Sequence, residues 1–302
     1  MSVAELEAER LSLEPPSGLW HEAWVQVRHN RGAQIGFFFV GLFVVTAVFA
    51  PLLAPYDPLA QDYTAVAHGC CPGPSSSHLL GVDQLGRDEL SRIIYGARLS
   101  LVVGVVAVSV GLTFGIILGA IAGYFGGAVD NIIMRVMDVM LSIPGLLMAI
   151  GIVAMLGPGL VQVMIAIGVT QIPIFARLLR GSILSQRENE FVVAARSIGA
   201  RRRTILWGHI LPNSISPVIV QGTLALATAI IDVAGLAFLG LGDPDPSRPE
   251  WGAMLTSTNQ YLEVAPWLAI IPGIAIVISA LGFNLIGDAL REALDPKLRG
   301  RI

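Results

Sequence analysis

Apolar residues in this chain gather in long uninterrupted runs rather than alternating or recurring in heptads. A helix rises about 1.5 Å per residue, so about 20 apolar residues cross a bilayer core. The first charge-free run, Ile35 to Ala54, leads into Pro51, Pro55 and Pro58, where a helix must stop. The second runs from Leu99 to Phe125. No charged residue occurs between Val139 and Ala176, a stretch too long for one span, and Gly157-Pro158-Gly159 divides it into two helices joined by a tight turn. A fifth run extends from about Ile215 to Leu239, interrupted by Asp232, and a sixth from about Val264 to Ile286. The pattern predicts an all-α polytopic membrane protein with six transmembrane helices.

Ahead of the first run, Trp20, Trp24 and Val27 recur at i, i+4 and i+7 beside Arg28 and Arg31. That spacing fits a short amphipathic helix lying in the headgroup layer. The segment 1–34 carries five glutamates and no apolar core, unlike a cleaved secretion signal. The chain thus divides into an N-terminal segment (1–34), a six-helix domain (35–290) and a tail (291–302).

Composition agrees: 54% of the 302 residues are hydrophobic and 14% charged, against roughly 25% charged in ordinary soluble domains. Among the 19 basic residues the single lysine is Lys297, after Pro296, so no Walker-A lysine follows a glycine-rich loop. Any work with ATP therefore falls to another polypeptide. With six spans both termini share one side, and that side holds all the basic residues except Arg87, Arg92, Arg98 and Arg248. By the positive-inside rule both termini are cytoplasmic. The loops 55–98 and 240–266 then face outward, and the loop 181–212 faces inward.

Within the spans, Gly111, Gly115, Gly119 and Gly123 form a four-residue stripe, which predicts close helix–helix contact inside this chain or with a partner subunit. Asp232 is the one acid well inside a run; it can line a vestibule, meet a substrate amine or pair with an arginine. Arg135 and Asp138, at i and i+3, suggest an interfacial ion pair where the third helix begins. Pro144, Pro173 and Pro272 fall within the third, fourth and sixth helices and allow kinks.

The inward loop is the most informative segment. It reads ENEFVVAARSIGARRRTILWGHILPN from Glu188 to Asn213. A short helix rich in small residues closes at Gly199, followed by Arg201-Arg202-Arg203 and then Leu211-Pro212. A generic basic loop explains the arginines but not the small residues, the glycine and the Leu-Pro step. The spacing from Ala194-Ala195 through Gly199 to Leu211-Pro212 is similar to the cytoplasmic signature of membrane subunits in binding-protein-dependent ABC importers. That signature begins Glu-Ala-Ala; here Val193 takes its first position, and Glu190 lies one turn earlier. LLGVDQLGRDELSRIIYGARLSL (Leu79 to Leu101), LSIPGLLMAI (Leu141 to Ile150), FLGLGDPDPSRPEWGAML (Phe238 to Leu255) and GDALREALDPKLR (Gly287 to Arg299) resemble the C-type permeases of dipeptide, oligopeptide and nickel importers.

The resemblance implies a permease subunit in a prokaryotic plasma membrane. It implies pairing with a homologous permease, one or two ATPase subunits binding ATP and magnesium, and an extracytoplasmic solute-binding protein delivering peptides. Nickel or another small solute is the alternative cargo. The coupling helix would be Glu190 to Gly199, with Glu190, Val193, Ala194, Ala195, Gly199, Arg201, Leu211 and Pro212 as the ATPase-coupling set. Asp232, Met140 and Asn284 are the candidate lining of the pathway.

The outer motif Gly81, Asp83, Gly86, Arg87 and Asp88 is either a self-satisfied salt-bridged turn or a contact for the binding protein. Asp243, Asp245 and Glu250 form either a docking surface or a rigid loop. Cys70 and Cys71 are adjacent, which favours free thiols without a role. The five histidines are scattered and show no metal or catalytic spacing, and the chain itself catalyses no covalent chemistry. One short basic cluster beside a membrane argues against nucleic-acid binding. An ion-coupled secondary transporter would need mid-membrane carboxylates and often an internal repeat, of which the chain shows one off-centre aspartate and no repeat.

Overall fold

A computed structural model describes residues 19–67 and 69–294. The tail residues Lys297, Arg299 and Arg301, together with Arg10 and His68, lie outside the described residues. The helices are α1 (Leu19–His29), α2 (Arg31–Val48), α3 (Glu89–Phe125), α4 (Gly127–Leu141), α5 (Gly145–Leu156), α6 (Leu160–Arg187), α7 (Glu190–Ser197), α8 (Ser216–Leu236), α9 (Trp251–Thr258) and α10 (Trp267–Leu294). Short helical turns link several of them. Five helices, α2, α3, α6, α8 and α10, are long and apolar enough to cross a membrane. The α4–α5 pair supplies a sixth crossing if its 91° bend is counted within one span.

That bend corrects the expected third helix. The charge-free run begins only at Val139, but a helix already runs from Gly127 and ends at Leu141. Ile143 precedes proline, which disfavours its helical conformation, and Pro144 is extended at ψ 129° as the N-cap of α5. Pro144 therefore terminates rather than kinks a helix, while Pro173 and Pro272 do sit inside α6 and α10. The start was hidden because the two α4 acids are matched across to α6. Arg180 makes a two-pronged bond to Asp130 at 2.6 Å for both oxygens, and Arg177 pairs with Asp138. Asp138 thus finds its arginine on another helix, not in Arg135.

The glycine stripe meets α6 within this chain. A Cβ at Gly111 would lie 2.6 Å from the Gln171 Cβ, at Gly119 2.5 Å from the Ala176 carbonyl oxygen and at Gly123 2.9 Å from Ile183. A Cβ at Gly115 would run into Phe175. Gly168 answers from α6, with the Ala107 carbonyl 2.9 Å from where its Cβ would stand. Small residues let the two backbones touch where lipid offers no hydrophobic drive for association. Phe175, Leu179, Val103 and Leu236 fill the core around this seam, and Phe43, Trp251 and Phe283 fill a second one among α2, α9 and α10.

At α1, Ala23 and Val27 are the buried positions and pack on Ala289 and Ala293 of α10, while Trp24 is exposed. Of the expected Trp20-Trp24-Val27 stripe, Val27 is thus buried and Trp24 exposed, and the Trp20 side chain lies outside the described residues. Asn30 caps α2 and its amide donates to Glu292 at 3.0 Å, so α1 and the end of α10 share one end of the bundle.

Candidate functional site: the coupling loop and the outer cap

Glu188 closes α6, Asn189 caps α7, and α7 runs over the residues in which a short helix was expected. The helix stops because Ile198 leaves the helical region and Gly199 adopts φ +79°, a left-handed conformation that favours glycine. The Gly199 and Ala200 N–H groups turn back to the Arg196 and Ala195 carbonyls at 3.0 and 3.1 Å, closing the C-terminus. Nothing lies within 4 Å of a Cβ at Gly199, so backbone conformation and not crowding selects glycine there.

Two faces of α7 have different neighbours. Val192 and Ala195 are buried in the main core with Ile183, Ile205 and Ile210. Glu190, Val193 and Ala194 are exposed, with Val193 at 53%, and Ile198 just beyond is exposed at 85%. Ala195 therefore faces its own chain, whereas Val193 and Ala194 face outward from the expected coupling set. Arg201 is exposed and caps the turn Arg202–Ile205. A wide π-turn, Leu206–Ile210, then precedes Pro212 in the turn Leu211–Ser214, accommodating a residue that has no N–H to give. Leu211 packs against the core and Pro212 is exposed.

The pathway candidates are dispersed. Asp232 is half-buried on α8, Met140 half-buried in the last turn of α4, and Asn284 half-buried on α10. No hydrogen bond or ion pair joins any of them to one another among the described residues, and Asp232 meets no arginine there.

The outer motif is knit together. Asp83 accepts from the Leu85 and Arg87 N–H groups at 2.9 Å and pairs with the Arg87 guanidinium at 2.6 Å. Arg87 also donates to the Pro246 carbonyl at 2.7 Å, fastening one outer loop to the other. Asp88 caps α3 through Ser91 and holds the His78 Nδ1 at 2.9 Å; His78 was not singled out in the sequence because its partners lie ten and sixteen residues away. The Thr64 hydroxyl and Ala65 N–H hold the Asp62 carboxyl at about 2. In the second loop Arg248 pairs with Asp243 at 2.7 Å, and the Ser247 hydroxyl holds Asp245 below the usual carboxylate range. The named charges of both outer motifs are paired within and between the two loops, while Glu89 Oε1 and Arg92 Nη1 beside them are buried without a hydrogen-bond partner among the described residues. Against expectation, Cys70 and Cys71 are joined to each other as an adjacent-residue disulfide.

This architecture, a helical bundle carrying a short helix in a loop beyond the spans, is that of ABC transporter membrane subunits. A solved methionine transporter, MetNI, in inward-facing conformations matches 67% of this chain and 96% of its own at a TM-score of 0.55 and 18% identity. An amino acid ABC transporter with histidines matches 66% at 0.54 and 15%. Residues 115–300 match the family described as binding-protein-dependent transport system inner membrane component, and residues 18–68 match the N-terminal transmembrane domain of oligopeptide transport permease C. The chain belongs to the binding-protein-dependent transport permease family. Similar proteins include the dipeptide permease DppC of Alkalihalophilus pseudofirmus, 47% identical over 93% of this chain and 90% of that protein. The di/tripeptide permease DppC of Pseudomonas aeruginosa is 46% identical over 95% of each. The glutathione permease GsiD of Escherichia coli O157:H7 is 47% identical over 93% and 91%.

Proposed function

We propose that this subunit forms, with a homologous permease, the route by which an ATP-driven importer takes up short peptides. A solute-binding protein delivers them outside a prokaryotic plasma membrane, and both termini of the permease are cytoplasmic. One or two ATPase subunits dock on α7, and ATP with magnesium is bound and hydrolysed in those subunits. Peptide cargo is supported by the names of relatives that match nearly the whole chain.

The observation that carries the coupling role is the exposed apolar surface of Val193 and Ile198 on a loop outside the spans, where water otherwise penalises it. Its reverse face, Val192 and Ala195, is anchored in the core beside the end of α6, so a displacement of α7 is passed to the bundle instead of being lost in a loose loop. Alternating access then follows from a change in helix packing biased by the partner. Asp232, Met140 and Asn284 line the route.

Val193→Arg, which adds a charge on the exposed face alone, is expected to abolish co-purification of the ATPase and uptake of a labelled dipeptide while the permease still inserts and melts as before. An ATPase that stays bound to this variant overturns the assignment of α7 as the docking helix. Ala195→Arg is unsuited to the test, since it buries a charge in the core.

A further inference from the structure

Beside α7 lies an open cavity of about 480 Å³ walled by the ends of α3 and α6 and by the turn after Gly199. Three guanidinium groups from three segments line it: Arg187 from the end of α6, Arg196 from α7 and Arg202 from the following turn. No acidic residue lines it. None of the three arginines has a carboxylate within 4.0 Å among the described residues. Arg187 is fixed in place by its 2.9 Å bond to the Gly123 carbonyl, which leaves further N–H groups to donate. Arg196 is exposed on α7, four residues after buried Val192, and reaches the cleft from its rim.

Half-buried Arg187 and exposed Arg196 and Arg202 bring three positive charges to one open cleft, where their mutual repulsion favours an anion. The remaining lining places that anion at the membrane surface. Tyr124 and Phe125 end the apolar run of α3, Phe125 is 66% exposed, and aromatic rings at the end of a span mark headgroup depth. We propose that this cavity binds the phosphate of an anionic phospholipid headgroup, such as phosphatidylglycerol. The phosphate oxygens accept from Arg187, Arg196 and Arg202, and the acyl chains lie along the apolar side of α3. Bound there, the lipid ties α7 to the ends of α3 and α6.

The test is native mass spectrometry of the assembled transporter, permeases and ATPases together, offered equal phosphatidylglycerol and phosphatidylcholine. The wild type is expected to retain phosphatidylglycerol preferentially. Each arginine near a membrane surface contributes about five-fold, so Arg202→Gln is expected to weaken retention about five-fold and Arg196→Gln/Arg202→Gln about 25-fold. Arg203→Gln, with the same loss of charge one residue away but outside the cavity lining, is expected to leave retention unchanged. Arg196→Lys/Arg202→Lys is expected to recover most of it, which separates loss of charge from loss of fold. Equal retention of the two lipids, or equal effects of the Arg202 and Arg203 variants, overturns the site. Displacement of the lipid by millimolar inorganic phosphate overturns the lipid as its source in favour of free phosphate. Retention that appears only when the ATPases are removed shows that an acidic partner side chain fills the cavity, and overturns it as well.

Discussion

Glu250 accepts hydrogen bonds from the Gly252 and Ala253 N–H groups at 2.8 Å each while only 2% exposed. As N-cap of α9 it sets Trp251 against Phe43, with ring centroids 5.2 Å apart. Burial pushes its carboxyl above the ordinary 4.5, and the two N–H donors offset part of that. The unfolded chain ionises this group near 4.5 and the folded protein only at higher pH. Its contribution to stability therefore falls as pH rises from about 4.5 through the raised value and is constant above it. That share of the slope in unfolding temperature is expected to vanish in Glu250→Gln, and a slope unchanged by the substitution refutes the assignment. Glu250→Ala, which removes both acceptors, is expected to cost about 1–2 kcal/mol by thermal unfolding. In the sequence Glu250 is one acid among several in a proline-rich loop. Its role depends on where Trp251 packs, which no local pattern encodes. Asp83 and Arg87 were legible because they pair within one turn of chain, and His78 was not because its partners arrive only when the outer loop closes.

Among the helices, what could be read from the sequence was set by how each keeps its charges from lipid. Spans with no charge declared their centres, although α3, α6 and α10 all extend beyond the apolar runs. The α4 helix stayed hidden because Asp130 and Asp138 are neutralised by arginines of α6, a pairing across 50 and 39 positions. The glycine stripe was evident as a contact surface, but its partner emerged only with the fold. Gly119→Val is expected to destabilise the subunit by about 1–3 kcal/mol, since neither the Ala176 backbone nor α3 can yield. Gly151→Ala, on α5 with open space around it, is expected to be neutral or stabilising by about 0.5–1 kcal/mol. Equal effects in an unfolding assay would show that helix propensity, not the α3–α6 seam, governs both.

For the whole molecule, family membership was legible in motifs spread along most of the chain, whereas the burial of Ala195 was not, because two adjacent alanines look alike until one face of α7 is covered. The cytoplasmic placement of α7 proposed above rests on the distribution of basic residues. Ser197→Cys, exposed on α7, in a background with Cys70 and Cys71 replaced by serine, is expected to react with an impermeant maleimide in inside-out vesicles and not in intact cells. The opposite labelling pattern inverts the topology.

Because the glycine seam brings the α3 and α6 backbones into direct contact, the two helices are expected to move as a single beam. At the Arg187 end the beam continues into α7. At its far end, about 55 Å along the 37 residues of α3, Asp88 anchors the outer loop that Arg87 latches to Pro246. On the function proposed above, a push delivered by a nucleotide-driven motor at the α7 end is expected to be felt as a tilt at the other. The entrance for cargo, on that proposal, is worked from a distance, through the shared backbone seam of two helices.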